Sequence, residues 1–356
     1  MSQPNTFLLY GATGYTARLI LGEVGQFGLT PILCGRDEAK LRPLATQHGL
    51  SYRVADLTNA VALNNAMRDV PAVLHCAGPF SRTALPMQQA CLRNGVHYLD
   101  ITGEIAVFEQ GAALDAQAKA RGVMLMSGVG FDVVPTDCIA RFLKDQLPNA
   151  TQLELAFAND GGSVSHGTAQ TAADNLGTGG LVRQNGQLQT VPYAHKVLDV
   201  RFANGQRLPC MSIPWGDVST AYHTTGIPNI ETFMAADPTA IRLARAGNYL
   251  GWLLRQGWVR RFVQKQITKR ITGPDEGKRS RARTQVWGRV RNAAGQTAEA
   301  RLTGPDGYDL TVLAALLITQ KVLQGQVKPG FQTPAGLFGA DLVLEIPGVK
   351  RIFADG

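Results

Sequence analysis

Residues 6–17 read TFLLYGATGYTA: an apolar run ending at Tyr10, a turn holding Gly11 and Gly14, and the start of a periodic stretch at Tyr15. The run has the composition of a buried strand and the stretch after it the spacing of a helix. Gly11 suits a tight exit from the strand. Gly14 lets backbone amides approach an anion, and the small Ala17 lets the helix pack close to a sheet. With Ala12, Thr13, Tyr15 and Thr16 they form a cradle in which the helix N-terminus offers N–H groups and its positive dipole end to a diphosphate. A glycine pattern alone is weak. Here it opens the first strand–turn–helix of the chain, which is the context that gives it meaning.

Outward from this turn, short apolar runs recur at Thr30–Cys34, Ser51–Val54, Ala72–Cys76, His97–Ile101 and Val123–Met126. Helix-like stretches lie between them at Tyr15–Gln26, Asp37–His48, Ala60–Arg68, Ala84–Asn94 and Ala106–Arg121. Strict alternation with near-continuous apolar strands predicts an α/β fold, a parallel sheet covered on both faces. Six strands in this rhythm predict a Rossmann-type doubly wound sheet in the order 3-2-1-4-5-6.

The end of the second strand chooses between dinucleotides. NAD-binding chains usually carry an acidic residue there, about 20 residues past the glycine turn, to take the ribose hydroxyls. This chain has Gly35-Arg36-Asp37. Arg36 has a guanidinium suited to a 2′-phosphate, Gly35 has no side chain to repel one, and Lys40 lies one helical turn on. The plainer reading makes Arg36 a solvated charge and Asp37 a helix N-cap; the N-cap role is accepted, and NADP(H) is favoured over NAD. Asp56, after the third strand, is either a contact to the adenine amino group or a turn residue. Ala77, Gly78 and Pro79, after the fourth, form a small-residue loop on which the nicotinamide half can rest.

Past about Gly130 the rhythm changes. Residues 151–235 are rich in Thr, Gly, Asn and Gln, with strand-like runs at Leu153–Phe157 and Val197–Phe202. A helical stretch runs from Pro238 to about Ile271, Thr284–Val290 and Thr297–Leu302 read as a hairpin around Ala294-Gly295, and Leu310–Leu323 reads as an apolar helix. The expected organisation is residues 1–135 as the dinucleotide-binding domain and 136–305 as a second α+β domain, for substrate contact and any homodimer interface, dominated by one antiparallel sheet. Residues 306–356 form a helix and tail returning to the first domain.

Composition narrows the class. Apolar residues make up 45% of the 356, so the chain can bury a large core and is neither disordered nor fibrous. No apolar run approaches the 18 or so residues of a membrane span, and the N-terminal run has no basic residues before it. A cytoplasmic location is expected. Five cysteines with no C-x-x-C pair predict buried thiols, with no disulfide framework and no metal site.

The chemistry belongs to two polar segments at the ends of strands five and six, residues 97–104 (HYLDITGE) and 127–137 (SGVGFDVVPTD). Ligands of open α/β sheets bind outside the carboxyl ends of the strands, so these carboxylates border the nicotinamide pocket. Of the eight tyrosines none has Lys four residues on, which argues against the Tyr/Lys chemistry of short-chain dehydrogenases. Candidates for a proton donor or its orienting partner are Tyr98, Asp100, Glu104 and Asp132. The competing structural roles are helix capping for Asp100 and Asp132 and an arginine pair for Glu104. His166 and His223, in polar stretches of the second domain, are weaker candidates.

GATGYTA, GR, CAGPF, HYLDITGE and GFDVVPTD together resemble the saccharopine dehydrogenase-like oxidoreductases, in particular the branch that includes the trans-acting enoyl reductases. The stretches GPDEGKRSRARTQVWGRV and GYDLTVLAALLITQKVLQG extend the resemblance over nearly the whole chain. The resemblance implies hydride transfer from NADPH to a polarised double bond, either C=C conjugated to a thioester or C=N. Such chemistry needs a positioned acceptor, a proton donor and exclusion of water, but no nucleophile or metal.

The net charge of +8 is uneven. Residues 255–291 carry twelve Lys or Arg against Asp275 and Glu276, which leaves the rest of the chain slightly acidic. Leu250, Leu254, Trp258 and Phe262 recur every four residues beside these cations. Residues 241–291 are therefore read as an amphipathic basic stretch for an anionic membrane surface or an acyl carrier protein, or as a core-packed helix with a solvated face. No nucleic-acid module accompanies the charge. The rival to a reductase is a non-catalytic NADP sensor or membrane-surface scaffold.

Overall fold

The computed structural model describes residues 5–160, 179–254, 256 and 276–354. It divides into two compact units, Met1–Val134 with Tyr308–Leu337 and Pro135–Gly307 with Phe338–Gly356.

The first unit alternates as its sequence dictates: β1 (Thr6–Tyr10), α1 (Tyr15–Glu23), β2 (Thr30–Gly35), α2 (Glu38–His48), β3 (Tyr52–Val54), α3 (Ala60–Ala66), β4 (Ala72–His75), α4 (Phe80–Asn94), β5 (His97–Asp100), α5 (Ile105–Ala113), α6 (Asp115–Ala120) and β6 (Met124–Met126). The strands pair in parallel in the order 3-2-1-4-5-6, and Gly330–Phe331 adds a seventh, parallel to β6. This is a Rossmann-type doubly wound sheet. Every residue of β1 is buried, because helices cover both faces. On one face Leu8, Ile32, Val73, Tyr98 and Leu125 pack with Leu63, Met87 and Ala118 of α3, α4 and α6. The register puts Tyr10 opposite both Cys34 and His75, so the loops leaving β1, β2 and β4 emerge side by side.

Two helices depart from the periodicity. α4 begins at Phe80, four residues before the apolar pattern starts, because a distant carboxylate satisfies its first amides. The stretch 106–121 is two helices that part at Leu114. There Asp115 Oδ1 accepts the Phe331 N–H at 2.9 Å, so the break seats the seventh strand.

The second unit is built on a mixed sheet. β7 (Ala150–Asp160), β8 (Gly180–Gln184), β9 (Gln187–Val191), β10 (Val197–Arg201), β11 (Arg207–Ser212), β12 (Asn229–Ala235), β13 (Arg283–Asn292) and β14 (Thr297–Gly304) are joined by Lys350–Ala354. The order is β10-β11-β12-β7-β13-β14-(Lys350–Ala354), with β8 beside β12 and β9 beside β8. The sheet is dominated by antiparallel pairs, as the sequence led us to expect, with one parallel pair among them: β12 and β7. The elements between them form a crossover, and strand alternation carries no information on direction. The β13–β14 hairpin pairs Thr284 with Gly304 through to Arg291 with Thr297.

Residues 306–356, expected as one returning piece, divide instead. The helix Gly307–Leu323 leads into the part that joins the first unit, and Lys350–Ala354 pairs with β14 in the second. All five cysteines are free. Among the described residues no helix is long and apolar enough to cross a membrane.

Candidate cofactor and active site

The turn after β1 is braced from below. Gly11 and Ala12 donate their amides to Cys34 O at 2.8 and 3.2 Å, and Gly14 N donates to Gly11 O at 2.9 Å. Gly11 has φ +80°, and a Cβ there would lie 2.8 Å from Ala77 N and Cβ. Conformation and space both require glycine. Gly14 is the N-cap of α1 and has no side chain to cap it, so the amides of Thr16 and Ala17, which a helix start leaves without backbone acceptors, remain for an external anion. Ala12 is buried, Thr13 and Thr16 are half-buried, and Tyr15 is exposed, its ring edge-on to Tyr308 at 4.9 Å.

At the end of β2, Gly35 is half-buried and Arg36 exposed. Asp37 caps α2 by accepting Lys40 N at 3.3 Å, and Lys40 Nζ lies 3.1 Å from Asp37 Oδ2, so that lysine shares its charge with the cap. Asp56 accepts the hydroxyl and amide of Thr58 at 2.6 and 2.8 Å. Those bonds, with the Arg36 charge as a smaller cause, hold its carboxyl below the usual range. After β4, Ala77 is half-buried and Gly78 and Pro79 are exposed.

The four candidate acid–base residues take three different places. Tyr98 and Asp100 are wholly buried. Asp100 accepts Tyr98 OH (2.7 Å), Ser127 Oγ (2.9 Å), Gly128 N (2.9 Å) and Thr102 N (3.0 Å). Burial raises its pKa and these bonds oppose the rise; burial likewise pushes the Tyr98 hydroxyl up. The pair knits the loops after β5 and β6 together. Glu104 faces another way, accepting Phe80 N and Ser81 N, both at 2.9 Å, at the start of α4.

Asp132 stands apart. It is half-buried, and burial pushes its pKa up to about 7. Gly103 lies directly against it: a Cβ there would come 2.5 Å from Asp132 Oδ2. This carboxyl is therefore poised to change protonation near neutral pH, at the strand end where ligands of this fold bind.

Other polar groups here escape a reading of local sequence. His75 Nε2 meets Thr83 Oγ1 at 3.1 Å, Thr83 Oγ1 donates to Ala77 O at 2.6 Å, and Glu104 N donates to Thr102 Oγ1 at 3.0 Å. A histidine closing an otherwise apolar strand is the one sequence signal for the first pair. His223 is exposed on the helix Asp217–Thr225, and His166 lies outside the described residues.

Of the basic stretch, residues 255 and 257–275 lie outside the described residues, and with them most of the expected amphipathic helix beyond Leu254. The described part is helical over Pro238–Gly247 and Gly251–Leu254, with Leu243, Tyr249 and Trp252 exposed at 69, 87 and 69%. Arg289, on β13, is paired with Glu154 at 2.5 Å, so part of the positive charge is neutralised within the sheet.

A parallel doubly wound sheet whose first glycine turn leads into an uncapped helix defines a dinucleotide-binding domain. Residues 7–126 match the family model of the saccharopine dehydrogenase NADP-binding domain. It is similar to a trans-acting enoyl reductase of Mycobacterium leprae (strain TN), 33% identical over 138 residues, 36% of this chain and 33% of that protein. It is also similar to a saccharopine dehydrogenase-like oxidoreductase of Bos taurus, 25% identical over 256 residues, 62% of this chain and 59% of that one. A lipid droplet localized protein of Caenorhabditis elegans is 29% identical over 197 residues, covering 48% and 46%. The chain thus spans about half the length of these curated relatives. In fold it is similar to a saccharopine dehydrogenase (L-Glu forming) of Saccharomyces cerevisiae, with a TM-score of 0.68 at 12% identity over 99% of this chain and 100% of that one.

Proposed function

We propose that the chain is an NADPH-dependent reductase that delivers hydride to a polarised double bond, an enoyl thioester or an imine, with Asp132 as proton donor. The observation that carries this reading is the half-buried Asp132 carboxyl, pushed up to about 7, at the strand edge of an NADP-binding domain. NADPH would supply the hydride. The amides behind Gly11 and Gly14 would hold its diphosphate, Arg36 with Lys40 its 2′-phosphate, Asp56 its adenosine end, and Ala77, Gly78 and Pro79 its nicotinamide half.

Hydride addition to one carbon of the acceptor leaves a carbanion, enolate or amide anion that must take a proton. An acid with a pKa near the working pH gives that proton most efficiently. Tyr98 and Asp100 have no exposed surface, so in this reading they fix the loops that frame the donor, and Glu104 orders the cofactor loop. The thioester acceptor is supported by the trans-acting enoyl reductases among the relatives, and an acyl carrier protein would then present it. The test is loss of NADPH absorbance with a panel of enoyl thioesters and imines. Turnover that falls at least a hundredfold in Asp132→Asn supports the reading; cofactor binding without turnover on any of them favours an NADP sensor.

A second reading concerns location. Arg242, Arg245, Tyr249 and Trp252 follow helical spacing, and all four are exposed. Aromatic and cationic side chains on one face suit the interface of an anionic membrane, and one relative is a lipid droplet localized protein. Co-sedimentation with phosphatidylserine vesicles, lost in Tyr249→Ser/Trp252→Ser, supports it; equal sedimentation of both proteins contradicts it.

A further inference from the structure

The loop between β4 and α4 is held from three sides, each by a group from a different part of the unit. Glu104 accepts the first two amides of α4, Phe80 N and Ser81 N, both at 2.9 Å. A helix cap is ordinarily a neighbour in sequence, at the N-cap residue itself. Here that position is Pro79, which has no side-chain acceptor, and the cap comes from 24 residues away. Thr83 donates its hydroxyl to Ala77 O at 2.6 Å, with Pro79 O at 3.1 Å, and receives His75 Nε2 at 3.1 Å. His75 is fully buried between Tyr10, stacked at 5.3 Å, and Phe80, edge-on at 5.4 Å. Among the described residues its Nδ1 has no partner. The neutral tautomer with hydrogen on Nε2 is therefore the one that satisfies the Thr83 contact. From the third side, Ala77 rests against Gly11 of the phosphate turn.

From these contacts we infer that Glu104 and Thr83 are positioning residues: they pre-order the loop 76–81 as a rigid shelf for the nicotinamide half of the dinucleotide. The inference rests on the cofactor reading above. A shelf fixed before binding spares the ligand the cost of ordering it, so its loss weakens only the half of the ligand that lies on it. The 2′-phosphoadenosine half meets different loops, those after β2 and β3. Glu104 also ties two sites together. Its amide is held by Thr102, whose own amide is held by Asp100, and its neighbour Gly103 packs on Asp132. The segment 100–104 therefore sets the shelf and the candidate acid in one frame.

The test compares calorimetric binding of NADPH with that of 2′,5′-ADP, which carries the adenine end alone. In Glu104→Ala the NADPH affinity falls about tenfold or more, while that of 2′,5′-ADP stays within twofold. Glu104→Gln, which keeps one acceptor oxygen, recovers part of the loss. Thr83→Val, similar in shape but without the hydroxyl, gives the same selective loss and carries the test if Glu104→Ala fails to fold. Equal weakening of both ligands, or of neither, overturns the inference and leaves the cofactor reading standing. Failure of the unmodified chain to bind either ligand overturns the cofactor reading, and the inference with it.

Discussion

Gly103 and Asp132 are packed so closely that one methyl group at residue 103 would stand 2.5 Å from the Asp132 carboxylate oxygen Oδ2. Asp132 is buried enough that desolvation raises its pKa. Gly103→Ala must push Asp132 aside. It is expected to lower kcat about tenfold or more while leaving 2′,5′-ADP affinity unchanged, since a displacement of about 1 Å at a reacting group is enough for such a loss. Steady-state kinetics beside calorimetry check this; unchanged kcat would show that the position of Asp132 does not matter.

The raised pKa also fixes a pH dependence. Asp132 titrates near 4 when unfolded and at about 7 when folded. The folded state therefore binds the extra proton between those values, and its contribution to stability is full below about pH 4 and lost as pH rises through about 7. Asp132→Asn, neutral throughout, should gain in melting temperature over the unmodified protein as pH goes from 5 to 8. Turnover of the unmodified protein should fall above about pH 7, as the donor loses its proton. A melting-temperature difference that is flat from pH 5 to 8 would contradict the protonated carboxyl.

Asp100 makes a different prediction. Its carboxylate gathers four donors while fully buried. Asp100→Asn keeps the shape but turns an N–H donor toward some of those donors, leaving buried groups unsatisfied at a cost of about 3 kcal/mol. Urea denaturation reads this directly. A loss below about 1 kcal/mol would mean that the loops after β5 and β6 are held by something else.

Much of the first unit was legible because its information is local. The six apolar runs, the glycine turn and the Asp37 cap each sit within a few residues of what they determine, and the strand order follows from alternation. The spacing of Tyr98 and Asp100 is the sequence signal that they share one face of β5 and meet there. Non-local contacts were out of reach. Nothing around residue 80 announces that its cap is Glu104, and the early start of α4 depends on that carboxylate. The split at Leu114 depends on a strand that arrives two hundred residues later. In the second unit the parallel pairing of β7 with β12 was hidden for the same reason. Among the acid–base candidates, residue type and strand-end position singled out four side chains, but only packing shows that Tyr98 and Asp100 are sealed, that Glu104 caps α4, and that burial raises the pKa of Asp132 to about 7.

We propose that the crevice above the glycine turn holds NADP through Arg36, which stands exposed at the end of β2. Calorimetric titration of the unmodified chain and Arg36→Ala with NADPH and NADH tests it most directly. Micromolar NADPH binding, weaker NADH binding, and a loss of about tenfold for NADPH alone in Arg36→Ala are expected. Equal affinity for both nucleotides in the unmodified chain, or no binding of either, would contradict it.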